Sequence, residues 1–256
     1  MAPTSETITS LPSVQTAWKI VRRGDPAKAL VKDQNAPVPT KIPKGYVLVK
    51  IKAASLNPVY VPATTPFAKF PSLSHLLRRG SKLMRLVPNS FFKRIPEYDF
   101  AGEVVDANGN PGFKVGDQVF GSIPLGRPFK NGQGALAQYA YVPAKFTTHR
   151  PEGISPNEAS GIAIVAMTAY VAVYQIGKLE AGRRIFINGG STSVWIYAIQ
   201  FAKALGCRVY ASAPGKNEEF LKSSGVDEVY SGTCMRTFQP KRSITLTGAQ
   251  FFDYTK

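Results

Sequence analysis

Along the first half of the chain, apolar positions come in short runs with a period near two. Ala17 to Arg23 (AWKIVRR) is a predicted strand, and Val47, Val49 and Ile51 alternate with Leu48, Lys50 and Lys52 in a second. Residues 100–121, FAGEVVDANGNPGFKVGDQVFG, read as strand, turn and strand, with Asn108-Gly109 and Pro111-Gly112 as the turn signals. ALAQYAYVPA, residues 135–144, supplies one more strand. Short strands separated by Gly/Pro turns predict a barrel-like domain over residues 16–150, behind a disordered leader of residues 1–15.

The period changes after Arg150. Ser155-Pro156-Asn157-Glu158 has the order of a helix start: a capping serine, a proline at the first helical position and a glutamate three residues on. A helix is expected from Pro156 through Ala159, Gly161 and Ala163, and another from Thr168 to Ile176, stopped by Gly177. Ile185–Ile187 is then an apolar strand running into Gly189-Gly190. A helix-period segment from Val194 to Leu205 and a second strand from Cys207 to Ala211 follow. That order is the first β-α-β of a dinucleotide-binding fold. The predicted class is α/β, a β-rich domain followed by an incomplete parallel sheet over residues 151–229, with an irregular tail over 230–256.

Composition narrows this little. The chain has 256 residues, 44% of them hydrophobic, and no apolar run long enough to span a bilayer. Its first ten residues are polar, and its cysteines are Cys207 and Cys234, so a reducing, cytoplasmic setting without disulfides is expected. The formal net charge of +16 changes the picture more. Seven cations lie between Lys69 and Arg94 with no acid among them, interleaved with Leu76, Leu77, Leu83, Met84, Leu86, Val87, Phe91 and Phe92. Such an insert can touch an anionic surface, a membrane before a nucleic acid, or it can be a solvated excursion with a small apolar anchor. No nucleic-acid module accompanies it, and no nucleic-acid partner is expected.

Several motifs stand in one order: YVLVKIKAASLNPV, IPEYDFAGEVV, FKVGDQVFG, GALAQYAYVPA, MTAY, and INGGSTSV followed by AIQFAKALGC. Together they resemble the medium-chain dehydrogenase/reductase superfamily, in its zinc-free quinone oxidoreductase and enoyl-reductase-like branch. The resemblance spans residues 16 to about 229. It implies a GroES-like catalytic domain followed by a Rossmann domain, with NADPH as cofactor and a small quinone or α,β-unsaturated carbonyl as substrate. It also implies a homodimer whose edge is expected to be missing here. In zinc-containing relatives a Gly-His-Glu stretch stands where this chain reads Glu97-Tyr98-Asp99. His75 and His149 are far from it in sequence and no cysteine cluster exists, so no metal is expected.

Gly189 and Gly190 would let the backbone turn tightly and approach a pyrophosphate at a helix N-terminus, with hydroxyls from Ser191, Thr192 and Ser193; the plain alternative is an ordinary strand-to-helix turn. The second strand ends without an acid to hold a ribose 2′-hydroxyl. Ser212 and Lys216 stand there instead and can pair with a 2′-phosphate, unless Lys216 is only the exposed start of a helix. The resemblance places Asn57 beside nicotinamide and substrate, and Thr168 near the nicotinamide. On residues alone Asn57 is equally a turn residue before Pro58, and Thr168 equally a helix residue bonding its own backbone. Tyr60 offers either a phenol to a substrate carbonyl or simple packing, and Tyr98 reads as core.

Two departures from the pattern favour an impaired fragment or pseudoenzyme as the alternative. Trp195 occupies a place on the first helical turn where glycine is usual, and is expected to overpack and weaken cofactor binding. Residues 230–251 interrupt a match that resumes only at Asp253-Tyr254-Thr255-Lys256. That interruption is expected to be translated intron sequence or another gene-model error, with the chain ending about halfway through its second domain. A third reading is a peripheral membrane protein that binds through residues 69–94.

Overall fold

The computed structural model describes residues 11–22, 26–57, 94–124, 132–231, 244–247 and 250–253. Tyr60 and nearly all of the basic segment, residues 69–93, lie outside the described residues. The chain forms two compact units, residues 1–163 and 164–256. The division falls after Ala163 and not after Arg150, because the short helix at Pro156–Ser160 packs on strands of the first unit.

The first unit opens with β1 (Val14–Ile20), so the last two residues of the expected leader already belong to a strand. Gln15 fixes that start: its side chain donates to the Pro37 carbonyl at 3.1 Å and accepts the Tyr139 N–H at 2.7 Å. A four-residue helix α1 (Pro26–Ala29) leads into β2 (Leu30–Pro37), which pairs antiparallel with β1. The remaining strands are β3 (Tyr46–Ala54), β4 (Asp99–Asp106), β5 (Gln118–Ser122), β6 (Tyr139–Pro143) and β7 (Thr147–His149). They form one antiparallel sheet in the order β6-β3-β4-β5-β7.

The alternation read in the sequence positions β3. Val47 and Val49 enter a cluster with Phe100, Val104, Val119 and Val142. Leu48 points to the other face and is also buried, with Val38, Val105 and Tyr139. A strand covered on both faces holds its register firmly, since a one-residue slip would exchange two fitted sets of side chains. Between β4 and β5 the turn uses left-handed backbone at Asn108 (φ 48°) and Gly109 (φ 68°), as the Asn-Gly pair requires. Helix α2 (Pro156–Ser160) starts with the expected capping box between Ser155 and Glu158 but stops at Gly161.

The second unit begins at Ile164, one residue into α3 (Ala163–Tyr170), which continues as a π-helical stretch over Val171–Ile176 and ends at Gly177. The second helix therefore starts five residues earlier in the chain than Thr168, where the sequence pattern put it. β8 (Arg184–Asn188), α4 (Ser193–Ala204), β9 (Arg208–Ala213), α5 (Glu218–Ser223) and β10 (Glu228–Ser231) alternate as strand and helix. Trp195, Ala198, Ile199 and Ala202 mark the buried stripe of α4 at helical spacing, against Ile185, Ile187, Val209 and Ala211. The tail is less irregular than its composition suggested. β11 (Ile244–Thr247) pairs parallel with β8, and β12 (Gln250–Asp253) pairs antiparallel with β11. The sheet order is β10-β9-β8-β11-β12. Among the described residues no helix is long and apolar enough to cross a membrane.

Candidate functional site

In the second unit the turn from β8 to α4 collects most of the residues singled out for cofactor binding. Gly189 takes φ 76°, a left-handed conformation that glycine adopts without a Cβ penalty. Gly190 is held by space instead. A Cβ built on it would lie 2.8 Å from the Ala211 Cβ and 3.4 Å from a Leu221 methyl. Beyond them Ser191 is half-buried, and Thr192 and Ser193 are exposed at the start of α4. Thr192 has extended backbone and makes no side-chain cap bond. The amides of the first turn of α4 have no partner within the helix, so this end is suited to an anion.

Ser212 is bonded to this turn. It is buried, its hydroxyl donates to Asn188 Oδ1 at 2.6 Å, and the same oxygen accepts the Gly189 N–H at 3.1 Å. The Ser212 carbonyl accepts the Gly190 N–H at 2.9 Å. A serine has one hydroxyl proton, and here it goes to Asn188, so Ser212 braces the glycine turn. The two glycine amides are likewise committed to the brace. Lys216 is exposed, on a short 3-10 turn at Gly215–Asn217. Its neighbour Asn217 donates to Ser191 Oγ at 3.0 Å, tying the lysine-bearing turn to the glycine turn. Sequence reading passed over Asn217, since nothing in its spacing shows a partner 26 residues away.

Trp195 lies two residues into the helix that follows this turn. It is buried in the core stripe of α4, next to alanines at 198 and 202, while the glycine turn keeps its brace to Ser212. Thr168 is exposed on α3 and donates its hydroxyl to the Ile164 carbonyl at 2.7 Å, the backbone-bonding alternative for this residue.

In the first unit Asn57 is buried three residues beyond the end of β3 and meets two acids. Its backbone N–H donates to Glu97 Oε2 at 2.9 Å. Its side-chain Nδ2 lies 3.3 Å from Glu97 Oε2, 3.2 Å from Asp99 Oδ2 and 3.3 Å from Ser55 Oγ. Ser55 in turn donates to Asp99 Oδ2 at 3.1 Å. Burial, against the pull of the Asn57 hydrogen bonds, raises the Glu97 carboxyl from 4.5 to about 7, with the Asp99 charge pushing the same way. Tyr98 between them is a fully buried core residue. The two acids were legible in the sequence only as something other than a zinc motif. Their convergence on Asn57 spans about 40 residues and needs the β3–β4 pairing to exist. Among the described residues, no three or more His, Cys, Asp or Glu come together in a group that could hold a metal ion.

Comparison with known proteins adds to this geometry. The model of the alcohol dehydrogenase GroES-like domain matches residues 43–152. The chain is 34% identical over 230 residues to the trans-enoyl reductase pgmF of Aspergillus terreus, covering 86% of this chain and 59% of that one. It is 31% identical over 233 residues to the mitochondrial NAD(P)H oxidoreductase RTN4IP1 of Danio rerio, covering 86% and 56%. It thus spans under two thirds of the length of these relatives. A quinone oxidoreductase structure from Coxiella burnetii shares the fold with a TM-score of 0.72 at 23% identity, covering 91% of this chain and 69% of that one. The ordered motifs, the strand-turn-helix geometry and these likenesses agree: the chain belongs to the medium-chain dehydrogenase/reductase superfamily, in its quinone oxidoreductase and enoyl-reductase-like branch.

Proposed function

We propose that this chain belongs to an NADPH-dependent oxidoreductase that delivers hydride to a quinone or an α,β-unsaturated carbonyl without a metal ion. The observation that carries the reading is the braced turn at Gly189 and Gly190, which opens the uncapped start of α4 to an anion. The residues fit a dinucleotide. The first-turn amides of α4 and the hydroxyls of Ser191, Thr192 and Ser193 would hold the diphosphate. Lys216, on a turn tied to Ser191 through Asn217, would meet a 2′-phosphate. NADPH, when bound, supplies the hydride.

The chain's own part is to hold and orient. Asn57 would contact the nicotinamide or the substrate, and Thr168 would offer its hydroxyl oxygen to the nicotinamide. Tyr60 would offer a phenol to the substrate carbonyl as negative charge gathers there. A conjugated acceptor spreads that charge over its own π-system, so hydrogen-bond donors suffice. Among the described residues, the paired acids around Asn57 are part of a hydrogen-bonded cluster and do not form a three-ligand set.

The experiment is a fluorescence titration of the purified protein with NADPH and NADH, repeated on Lys216→Ala, with quinone reduction followed by loss of NADPH absorbance and zinc measured by emission spectroscopy. The expected result is NADPH preference that falls roughly tenfold in the variant while NADH binding holds. Equal affinity for both nucleotides in both proteins, or stoichiometric zinc, would overturn the proposal.

A further inference from the structure

Glu97 occupies a backbone conformation that suits glycine and not glutamate, with φ 70°. Its side chain is also buried, at 5% exposure, a poor place for a carboxylate. Strained backbone and a buried acid at one residue persist only when the surroundings over-determine them, and such outliers gather at functional sites. What Glu97 touches is Asn57, through both the backbone N–H and the side-chain amide. Asp99 takes the same amide from the other side.

This arrangement decides which end of the Asn57 carboxamide is offered outward. An NH₂ group can donate to carboxylates and a carbonyl oxygen cannot, so the amino end must face Glu97 and Asp99. Both its hydrogens are then drawn to Glu97, Asp99 and Ser55. Among the described residues no donor reaches Oδ1. The asparagine, which in principle both gives and accepts, is left to accept.

Resting on the proposed nicotinamide chemistry, we infer that Glu97 is a positioning residue. It locks Asn57 with its carboxamide oxygen outward, so that Asn57 selects a ligand presenting an N–H donor, the carboxamide of a nicotinamide ring. The lock is sensitive to protons, because Glu97 titrates near neutrality. Among the described residues, Asp99 of β4 is the charged group that bears on it. Residues 132–136, which bond to the 95–97 segment through Gly132, Ala135 and Leu136, bring no charge.

The test compares two cofactors on three proteins: wild type, Glu97→Gly and Glu97→Gln. Glycine suits φ 70°, so the first variant removes the acid while relieving the backbone. The second keeps an acceptor of similar size. The probes are NADPH and its 3-acetylpyridine analogue, whose acetyl group has no N–H. Wild type is expected to bind NADPH roughly tenfold more tightly than the analogue, the worth of about one well-placed hydrogen bond. In Glu97→Gly, Asn57 can turn over and the ratio is expected to fall to about two, with Glu97→Gln recovering part of it. In parallel, the Asn57 side-chain amide resonances of wild type should shift with pH near neutrality, and those of Glu97→Gln should not.

An unchanged cofactor ratio in Glu97→Gly, with NADPH still bound, would overturn the inference and leave the proposed function standing. Failure of wild type to bind either nucleotide would overturn the function. The amide titration would still report whether Glu97 holds Asn57, and a flat titration would end that claim as well.

Discussion

Replacing Gly190 with alanine isolates the tightest packing at the cofactor turn. The new Cβ would sit 2.8 Å from the Ala211 Cβ, against an ordinary carbon–carbon separation of about 3.5–4.0 Å. Neither atom can rotate away, because each is fixed directly to its backbone. Either the glycine turn or β9 must move, and the turn is held to β9 by the Gly190 N–H to Ser212 carbonyl bond at 2.9 Å. Overpacking of this kind costs about 1–3 kcal/mol. With a urea dependence of about 2 kcal/mol per molar, the midpoint should fall by about 1 M. The chain has two tryptophans, Trp18 in the first unit and Trp195 in the second, so Trp195 fluorescence in a Trp18→Phe background reports the relevant unit. Gly215→Ala is the control, since nothing lies within 4 Å of a Cβ there, and it should be neutral or slightly stabilising. Ala211→Gly supplies the decisive arm. It removes the clashing atom, so the double variant should lose at least about 1 kcal/mol less than the sum of the singles. Strict additivity, or a Gly190→Ala protein as stable as wild type, would refute the packing argument.

Other expectations follow from single contacts. Ser212→Ala strands the Gly189 N–H and removes the bond to Asn188; it should cost about 1–3 kcal/mol in urea melts and speed amide exchange at Gly189. Ser155→Ala removes the cap of α2 and should cost about 1 kcal/mol, with faster exchange at the Glu158 amide. The third concerns pH. Burial first, and the Asp99 charge as well, raise the folded Glu97 carboxyl from 4.5 to about 7, so between those values the folded chain holds a proton that the unfolded chain has released. The stability from neutral Glu97 is therefore complete below 4.5 and lost as pH climbs to about 7. Urea midpoints of wild type should show that decline, and those of Glu97→Gln should be flatter across the same window.

What the sequence reveals of this chain is what is local. The Val47 and Val49 alternation, the Asn108-Gly109 turn and the Ser155–Glu158 box each fix a φ, a face or a cap within a few residues, and the structure uses all of them. β2 escapes notice because it is largely exposed and pairs with β1 alone, so LVKDQNAP carries no apolar rhythm. The strands β11 and β12 escape because β8 lies more than 50 residues earlier, and only that partner makes the segment a strand. At the site, the glycines are legible from their own chemistry. The brace at Ser212, the tie from Asn217 and the acids on Asn57 are not, because each hydrogen bond joins residues more than 20 apart.

Three positions show why glycine-like sites differ in what they tolerate. At Glu97 the demand is on φ, a penalty on the order of 1–2 kcal/mol that hydrogen bonds to Asn57 can offset. At Gly190 the demand is on volume against the Ala211 Cβ, which cannot rotate away from its backbone, and no hydrogen bond can create room for a second Cβ. Trp195 shows the third case. A large side chain stands where the core accepts it, for Trp195 is buried in one cluster with Ala198 and Ala202 at helical spacing. The buried indole on the first turn of α4 and the bonded glycine turn are both present in this structure. The bond network that shapes the turn runs through Ser212 and Asn188, on the strands, and not through the face of the helix that Trp195 occupies.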